Sequence, residues 1–120
     1  MHEYSIVSAL IQACEKQAQM HHAKAIKAID IDVGRLSGIE VHFLEQSFDL
    51  FKEETCCAEA TLNIHVCDVV VECKRCGVKS TLEKNHFICQ GCHSDDVVMI
   101  QGQELLIKSI EIIEETHETI

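Results

Sequence analysis

A chain of 120 residues with a net charge of −10 has room for one modest core, and its acidity is a poor match for a phosphate backbone. Hydrophobic residues make up 47 % of it, yet there is no Trp, one Tyr and four Phe, so the core must be aliphatic. No apolar run approaches the roughly 20 residues of a membrane span, and the opening Met1-His2-Glu3-Tyr4-Ser5 has neither the basic nor the apolar region of a secretory signal.

From Tyr4 to about His22, Val7, Leu10, Ile11, Cys14 and Ala18 recur at helical spacing and predict an amphipathic helix. Ile29, Ile31 and Val33 alternate with Asp30 and Asp32, the pattern of a half-buried strand, which Gly34 ends. Ser37-Gly38-Ile39-Glu40 reads as a capping box, with Ser37 at the N-cap and the Glu40 carboxylate reaching back to it. Val41, Leu44, Phe48 and Phe51 then predict a second helix to about Glu53 or Glu54. Leu62, Ile64 and Val66 predict a second strand, expected to continue through Val71 into a cysteine-rich segment. Val97 to Ile100 reads as a short strand, Glu104 to about Ile113 as another, and Glu114 to Ile120 as an acidic, frayed tail. The fold class expected is α+β: two helices packed on a three-stranded sheet, with an inserted zinc-ribbon module. The expected domains are residues 1–72 plus 103–120 for the α/β body and 73–102 for the ribbon.

The most specific signal is a pair of knuckles, Cys73-Lys74-Arg75-Cys76 and Cys89-Gln90-Gly91-Cys92, twelve residues apart. Two CxxC pairs can bring four thiolates to one tetrahedral centre, and that donor set holds structural zinc. Thioredoxin-like redox chemistry would use one such pair at a helix start, not two. Gly77 follows the first knuckle and relieves a tight turn; His93 takes the same place after the second, as a surface neighbour able to exchange with a thiolate. Paired thiols of this kind suit a reducing, cytoplasmic setting. The remaining cysteines, Cys14, Cys56, Cys57 and Cys67, show no ligand spacing and read as structural or incidental. Residues 73–92 carry four cations against one carboxylate, so most of the acidity lies on the body. Four thiolates on zinc bring the ribbon near neutrality, which argues against nucleic acid as a partner.

The N-terminus offers a second donor set. A bulky His2 hinders removal of Met1, so the terminal amine belongs to Met1. That amine, the His2 amide and the His2 imidazole close two chelate rings, and the Glu3 amide completes four nitrogens in a plane. Square-planar nitrogen suits Ni(II) or Cu(II), whereas zinc prefers a tetrahedron. The plainer reading is a solvated terminal histidine.

Met1-His2-Glu3 opening an amphipathic helix, then Val33-Gly34-Arg35-Leu36-Ser37-Gly38-Ile39-Glu40, then two CxxC knuckles, resembles the HypA/HybF hydrogenase-maturation nickel metallochaperones over essentially the whole chain. The resemblance implies nickel at Met1, His2 and Glu3, with Glu40 as a candidate extra ligand or neighbour, and zinc at Cys73, Cys76, Cys89 and Cys92. It implies a carrier and not an enzyme, working in the cytoplasm with a maturation GTPase, an apo-hydrogenase large subunit and other nickel-enzyme accessory proteins. No His closely follows Cys76, which departs from schemes where a His on that side swaps with a thiolate. An exposed strand edge or apolar helix stripe fits either a monomer or a homodimer. The alternative is a zinc-ribbon protein–protein adaptor with no exchangeable metal. A hydrolytic metalloenzyme is disfavoured, because four thiolates close the zinc shell and there is no HExxH.

Overall fold

The computed structural model describes residues 3–82 and 86–114. Met1, His2, Glu83 to Asn85 and the tail beyond Glu114 lie outside the described residues. In chain order the elements are α1 (Glu3–Met20), β1 (Ala23–Gly34), α2 (Val41–Phe51), β2 (Thr61–Cys67), β3 (Val69–Cys73), β4 (Lys79–Leu82), β5 (Val97–Gln101) and β6 (Leu105–Glu114). They form two three-stranded sheets, one in the order β2-β1-β6 and one in the order β4-β3-β5. Two helices with the first sheet and a cysteine-bearing second sheet give the α+β architecture expected.

The chain divides into two compact units. One comprises Met1–Ile31, Ile39–Ile64 and Ile107–Ile120; the other comprises Asp32–Gly38 and His65–Leu106. The knuckle-bearing unit is therefore larger than residues 73–102, and its edges fall inside β1, β2 and β6.

In the helical unit, α1 buries Val7, Leu10, Ile11, Cys14 and Ala18, the same stripe that the sequence predicts. α2 buries only Leu44 and Phe48. Phe51 is 41 % exposed and instead stacks edge-on against Tyr4, with ring centroids 4.6 Å apart, which ties the start of α1 to the end of α2. Ile26, Ile29 and Ile31 of β1 are buried, so the strand starts six residues before Ile29, through the Ala/Lys-rich stretch Ala23 to Ala28. Those residue types favour helix, and the sheet overrides that local preference. On the polar side, the Asp30 carboxylate accepts from the Ser109 hydroxyl at 2.7 Å and the Asn63 amide at 2.8 Å, joining β1 to both neighbours.

The start of α2 corrects the capping-box expectation. Ser37 does not cap the helix: its N–H bonds to the Gly34 carbonyl at 3.0 Å in a turn, and Gly38 follows in the left-handed region with φ 79°. Helical geometry cannot run through such a residue, so the cap moves three positions on. Glu40 is itself the N-cap, with extended backbone and Oε1 accepting from the His42 N–H at 3.3 Å. The helix ends at Phe51, two residues short of the expected limit.

The expected continuous strand from Leu62 to Val71 is also corrected. The half-buried residues of β2 are Leu62 and Ile64 and then, out of phase with them at its end, Cys67, whereas in β3 the odd-numbered Val69, Val71 and Cys73 are buried. A single flat strand cannot change its inward parity, so the chain breaks at Asp68 and β3 enters the second sheet. Val66, expected on the inward face, is 48 % exposed. In the knuckle unit β3 pairs antiparallel with β4 (Val69 opposite Leu82) and with β5 (Val71 opposite Met99), with a bulge at Val70/Val71. Val69, Val71 and Leu82 form its small core, packed by Leu36, Val97 and Met99. Gly34 lies so close to Gly102 that an added Cβ would sit 2.3 Å from its backbone. That approach lets the Gly34 N–H reach the Glu104 carbonyl at 2.8 Å and the Leu36 N–H reach the Gly102 carbonyl at 2.7 Å.

Candidate metal centre

Two turns built the same way bring the four knuckle cysteines together. In the first, the Arg75 and Cys76 N–H groups each donate to Cys73 Sγ at 3.4 Å. In the second, the Gly91 and Cys92 N–H groups donate to Cys89 Sγ at 3.3 and 3.4 Å. Each turn closes alike, with Gly77 N–H on the Cys73 carbonyl and His93 N–H on the Cys89 carbonyl, both at 2.9 Å. Gly77 and His93 are both left-handed, at φ 76° and 63°. His93 thus occupies a backbone site that suits glycine, and it lines a cleft with His86, Ile88 and Cys89.

All four sulfurs lie within 4.8 Å of one another, with Cys73 to Cys92 at 3.6 Å and Cys76 to Cys89 at 3.5 Å. Tetrahedral zinc with Zn–S bonds of about 2.3 Å spaces its sulfurs roughly 3.8 Å apart, so this donor set fits the ion. Cys73 and Cys89 are buried, whereas Cys76 and Cys92 face solvent. The charge distribution follows the amides. The Cys92 N–H, helped by Gly91, pulls the Cys89 thiol down to about 6 against the opposing effect of burial. The Cys76 N–H likewise lowers Cys73. Cys76 receives help from the Val78 amide, but sharing protons with Cys89, burial, Cys73 and Cys92 together push it up to about 12. The site without metal is therefore part thiolate and part thiol, and a bound cation must displace the remaining protons.

Sequence reasoning missed one residue here. Ser80 of β4 is buried, and its hydroxyl accepts the Gln90 N–H at 3.1 Å, hanging the second knuckle on the sheet. The signal available was its place two residues before Leu82 on the inward side of a short strand.

Of the residues expected to hold nickel, Met1 and His2 lie outside the described residues. Glu3 opens α1, and its Oε1 accepts the Glu40 N–H at 3.2 Å, so these two residues do meet. The Cys67 thiol donates to the carbonyl of its near neighbour His65 at 3.9 Å. In the helical unit the Cys56 and Cys57 sulfurs lie 3.9 Å apart, and Cys14 on α1 is close enough to Cys57 for each to shift the other's titration, Cys14 down and Cys57 up.

Comparison with known proteins bears on this arrangement. The chain is 40 % identical over 112 residues to the hydrogenase maturation factor HypA of Shewanella baltica strain OS195, covering 93 % of this chain and 96 % of the relative. It is 37 % identical to the protein of that name from Aquifex aeolicus, covering 93 % and 97 %. The solution structure of the Ni metallochaperone HypA from Helicobacter pylori is similar at TM-score 0.71 and 34 % identity, covering 96 % of this chain and all of that one. A second HypA solution structure matches at TM-score 0.76 and the same identity, covering 96 % and 98 %. Residues 1–112 match the family described as hydrogenase/urease nickel incorporation, metallochaperone, HypA, and the chain belongs to that family.

Proposed function

We propose that this protein binds Ni(II) through Met1, His2 and Glu3 and delivers it during maturation of nickel enzymes, NiFe hydrogenase among them. The observation that carries the reading is the contact between Glu3 Oε1 and the Glu40 N–H, in a chain whose relatives are nickel metallochaperones. That bond anchors Glu3, the residue that follows Met1 and His2 in sequence, to the N-terminus of α2. Nickel is cargo here, held by a chain end so that a partner can exchange its donors one at a time. Glu40 spends one carboxylate oxygen on its own helix, at 3.3 Å from the His42 N–H. Its other oxygen is available as the candidate extra nickel ligand.

Cys73, Cys76, Cys89 and Cys92 hold Zn(II), which cross-links two turns that have little apolar surface of their own. The protein works as a carrier and not an enzyme, in the cytoplasm. It docks on a maturation GTPase and an apo-hydrogenase large subunit, and serves other nickel-enzyme accessory proteins. Neither nucleic acid nor a membrane is a partner; among the described residues no helix is long and apolar enough to cross a bilayer.

A Ni(II) titration of untagged, zinc-loaded protein beside His2→Ala tests the reading. One nickel per chain in a planar nitrogen environment, lost in the variant with zinc retained, is the expected result. Unchanged nickel affinity in His2→Ala would leave the terminus without a role and favour the adaptor reading.

A further inference from the structure

α2 carries more apolar surface than its core uses. Leu44 and Phe48 are buried, whereas Phe43 and Leu50 are 58 % and 69 % exposed. With about 3.6 residues per turn, Phe43, Ser47, Leu50 and Phe51 fall on one flank of the helix, a second stripe beside the buried one. Phe51 joins that stripe to α1 through its edge-on contact with Tyr4, itself 59 % exposed. At this junction Tyr4, Ser8, Ile11, Gln12, Glu15 and Phe51 line a cleft of about 210 Å³. Single exposed apolar side chains are ordinary on a protein surface, but four that share one flank and its cleft mark a place where another molecule sits.

The charges around the stripe select its occupant. On the other flank of α2 Glu45 and Asp49 are exposed, Glu53 and Glu54 follow the end of the helix, and Glu15 stands at the cleft. From Val41 to Phe51 there is no Lys or Arg. Lys52, next in the chain, is already engaged: its Nζ lies 3.3 Å from the Asp49 carboxylate and donates to the Ala60 carbonyl at 3.2 Å. α1 has one cation, Lys16, about 100° round the helix from Glu15. An apolar strip with a rim of carboxylates attracts a cationic partner, and it repels a second copy of this chain, whose strip carries the same rim. The walls are helices, whose backbone groups pair internally, so a strand would find no ladder to join. We propose that this groove is the docking site for an amphipathic helix of a partner protein, one that presents apolar side chains flanked by lysine or arginine. One apolar side chain of that helix enters the cleft against Ile11, others cover Phe43 and Leu50, and its cations face Glu15 and Asp49. Tyr4 directly follows Glu3, so the docked partner is also placed to receive nickel, a role that, unlike the surface, rests on the nickel reading above.

The test titrates zinc-loaded, nickel-free protein with a helical peptide of about 18 residues, leucine at i, i+3, i+4 and i+7 and lysine elsewhere, and follows the amides by NMR. The control peptide has glutamate in place of lysine. The leucine/lysine helix should bind, shift the amides of Tyr4, Ser8, Phe43, Leu50 and Phe51, and bind more weakly as salt rises, while the control does not bind. Phe43→Ser combined with Leu50→Ser should weaken binding at least about tenfold, and Glu15→Gln about threefold. Because the shifts are mapped on the wild type, the outcome does not depend on any variant folding. Equal binding of the two peptides, shifts centred on the knuckle unit, no binding by the wild type, or binding unchanged in the double variant would each overturn the site. Self-association of the wild type that the double variant abolishes would overturn it too, because a second copy would then be the occupant. His2→Ala should dock the peptide as the wild type does, so failure of the nickel reading and failure of this one are told apart.

Discussion

At the residue scale, the two knuckles differ in one backbone position. Gly77 adopts φ 76° without cost, whereas His93 adopts 63° with a side chain that crowds the following carbonyl. His93→Gly should therefore stabilise the zinc-loaded protein by about 1 kcal/mol, read as a higher thermal midpoint. No change, or a loss, would mean that the imidazole makes a compensating contact in its cleft. Ser80 works in the opposite direction. Its hydroxyl is the acceptor for the Gln90 N–H, and Ser80→Ala would leave that amide without it in a part-buried setting. The expected cost is about 1–3 kcal/mol, with faster exchange of the Gln90 amide as the specific sign. A denaturant midpoint equal to wild type would assign Gln90 another partner.

At the scale of the element, each knuckle turn sets the charge of its own sulfurs. Two amides aim at Cys73 and two at Cys89, so those thiols ionise first, Cys89 at about 6, while Cys76 is held up to about 12. Between these values the metal-free site retains at least the Cys76 proton, which a bound ion must expel. Apparent zinc affinity should thus rise with pH by at least about tenfold per unit from pH 7 to 9. It should fall as pH drops, and more steeply below about 6, where Cys89 also takes up a proton. Competition with a zinc chelator across that range measures the slope, and a flat profile would contradict the assigned protonation. The start of α2 shows the same dependence on local backbone. Gly38 stops the helix from beginning at Ser37, so Glu40 becomes the cap, and its N–H is left pointing at Glu3. Glu40, the candidate nickel neighbour, is thereby attached to the residue that opens α1.

For the whole molecule, the two compact units have unequal means of support. The helical unit buries a core from α1, α2 and β1 in which aliphatic side chains surround Phe48, whereas the knuckle unit relies on Val69, Val71 and Leu82 with a few half-buried neighbours. So small a core does not hold a sheet without a staple. Removing zinc should release the amides of β3, β4 and β5 to rapid exchange while those of Val7 to Cys14 stay protected. Hydrogen exchange before and after chelation checks this; simultaneous loss of protection throughout would mean that the units fold as one.

Local pattern determined a large part of this protein. The i, i+3, i+4 spacing of Val7, Leu10, Ile11, Cys14 and Ala18 marks the buried face of α1 because helical pitch is a property of the backbone alone. The CxxC pairs identify a four-thiolate centre because a two-residue gap fixes how far two sulfurs can part. The phase change between Ile64 and Val69 was also present in the sequence, and it marks the break that sends β3 to a second sheet. Other features depended on partners distant in sequence. The strand from Ala23 exists because a sheet was there to receive Ala and Lys residues that prefer helix, and Glu40 caps α2 because Gly38 turned the chain before it. Cys14 and Cys57 are more than forty positions apart, and no spacing rule reaches that far. Only tertiary packing makes them neighbours close enough to influence each other's titration.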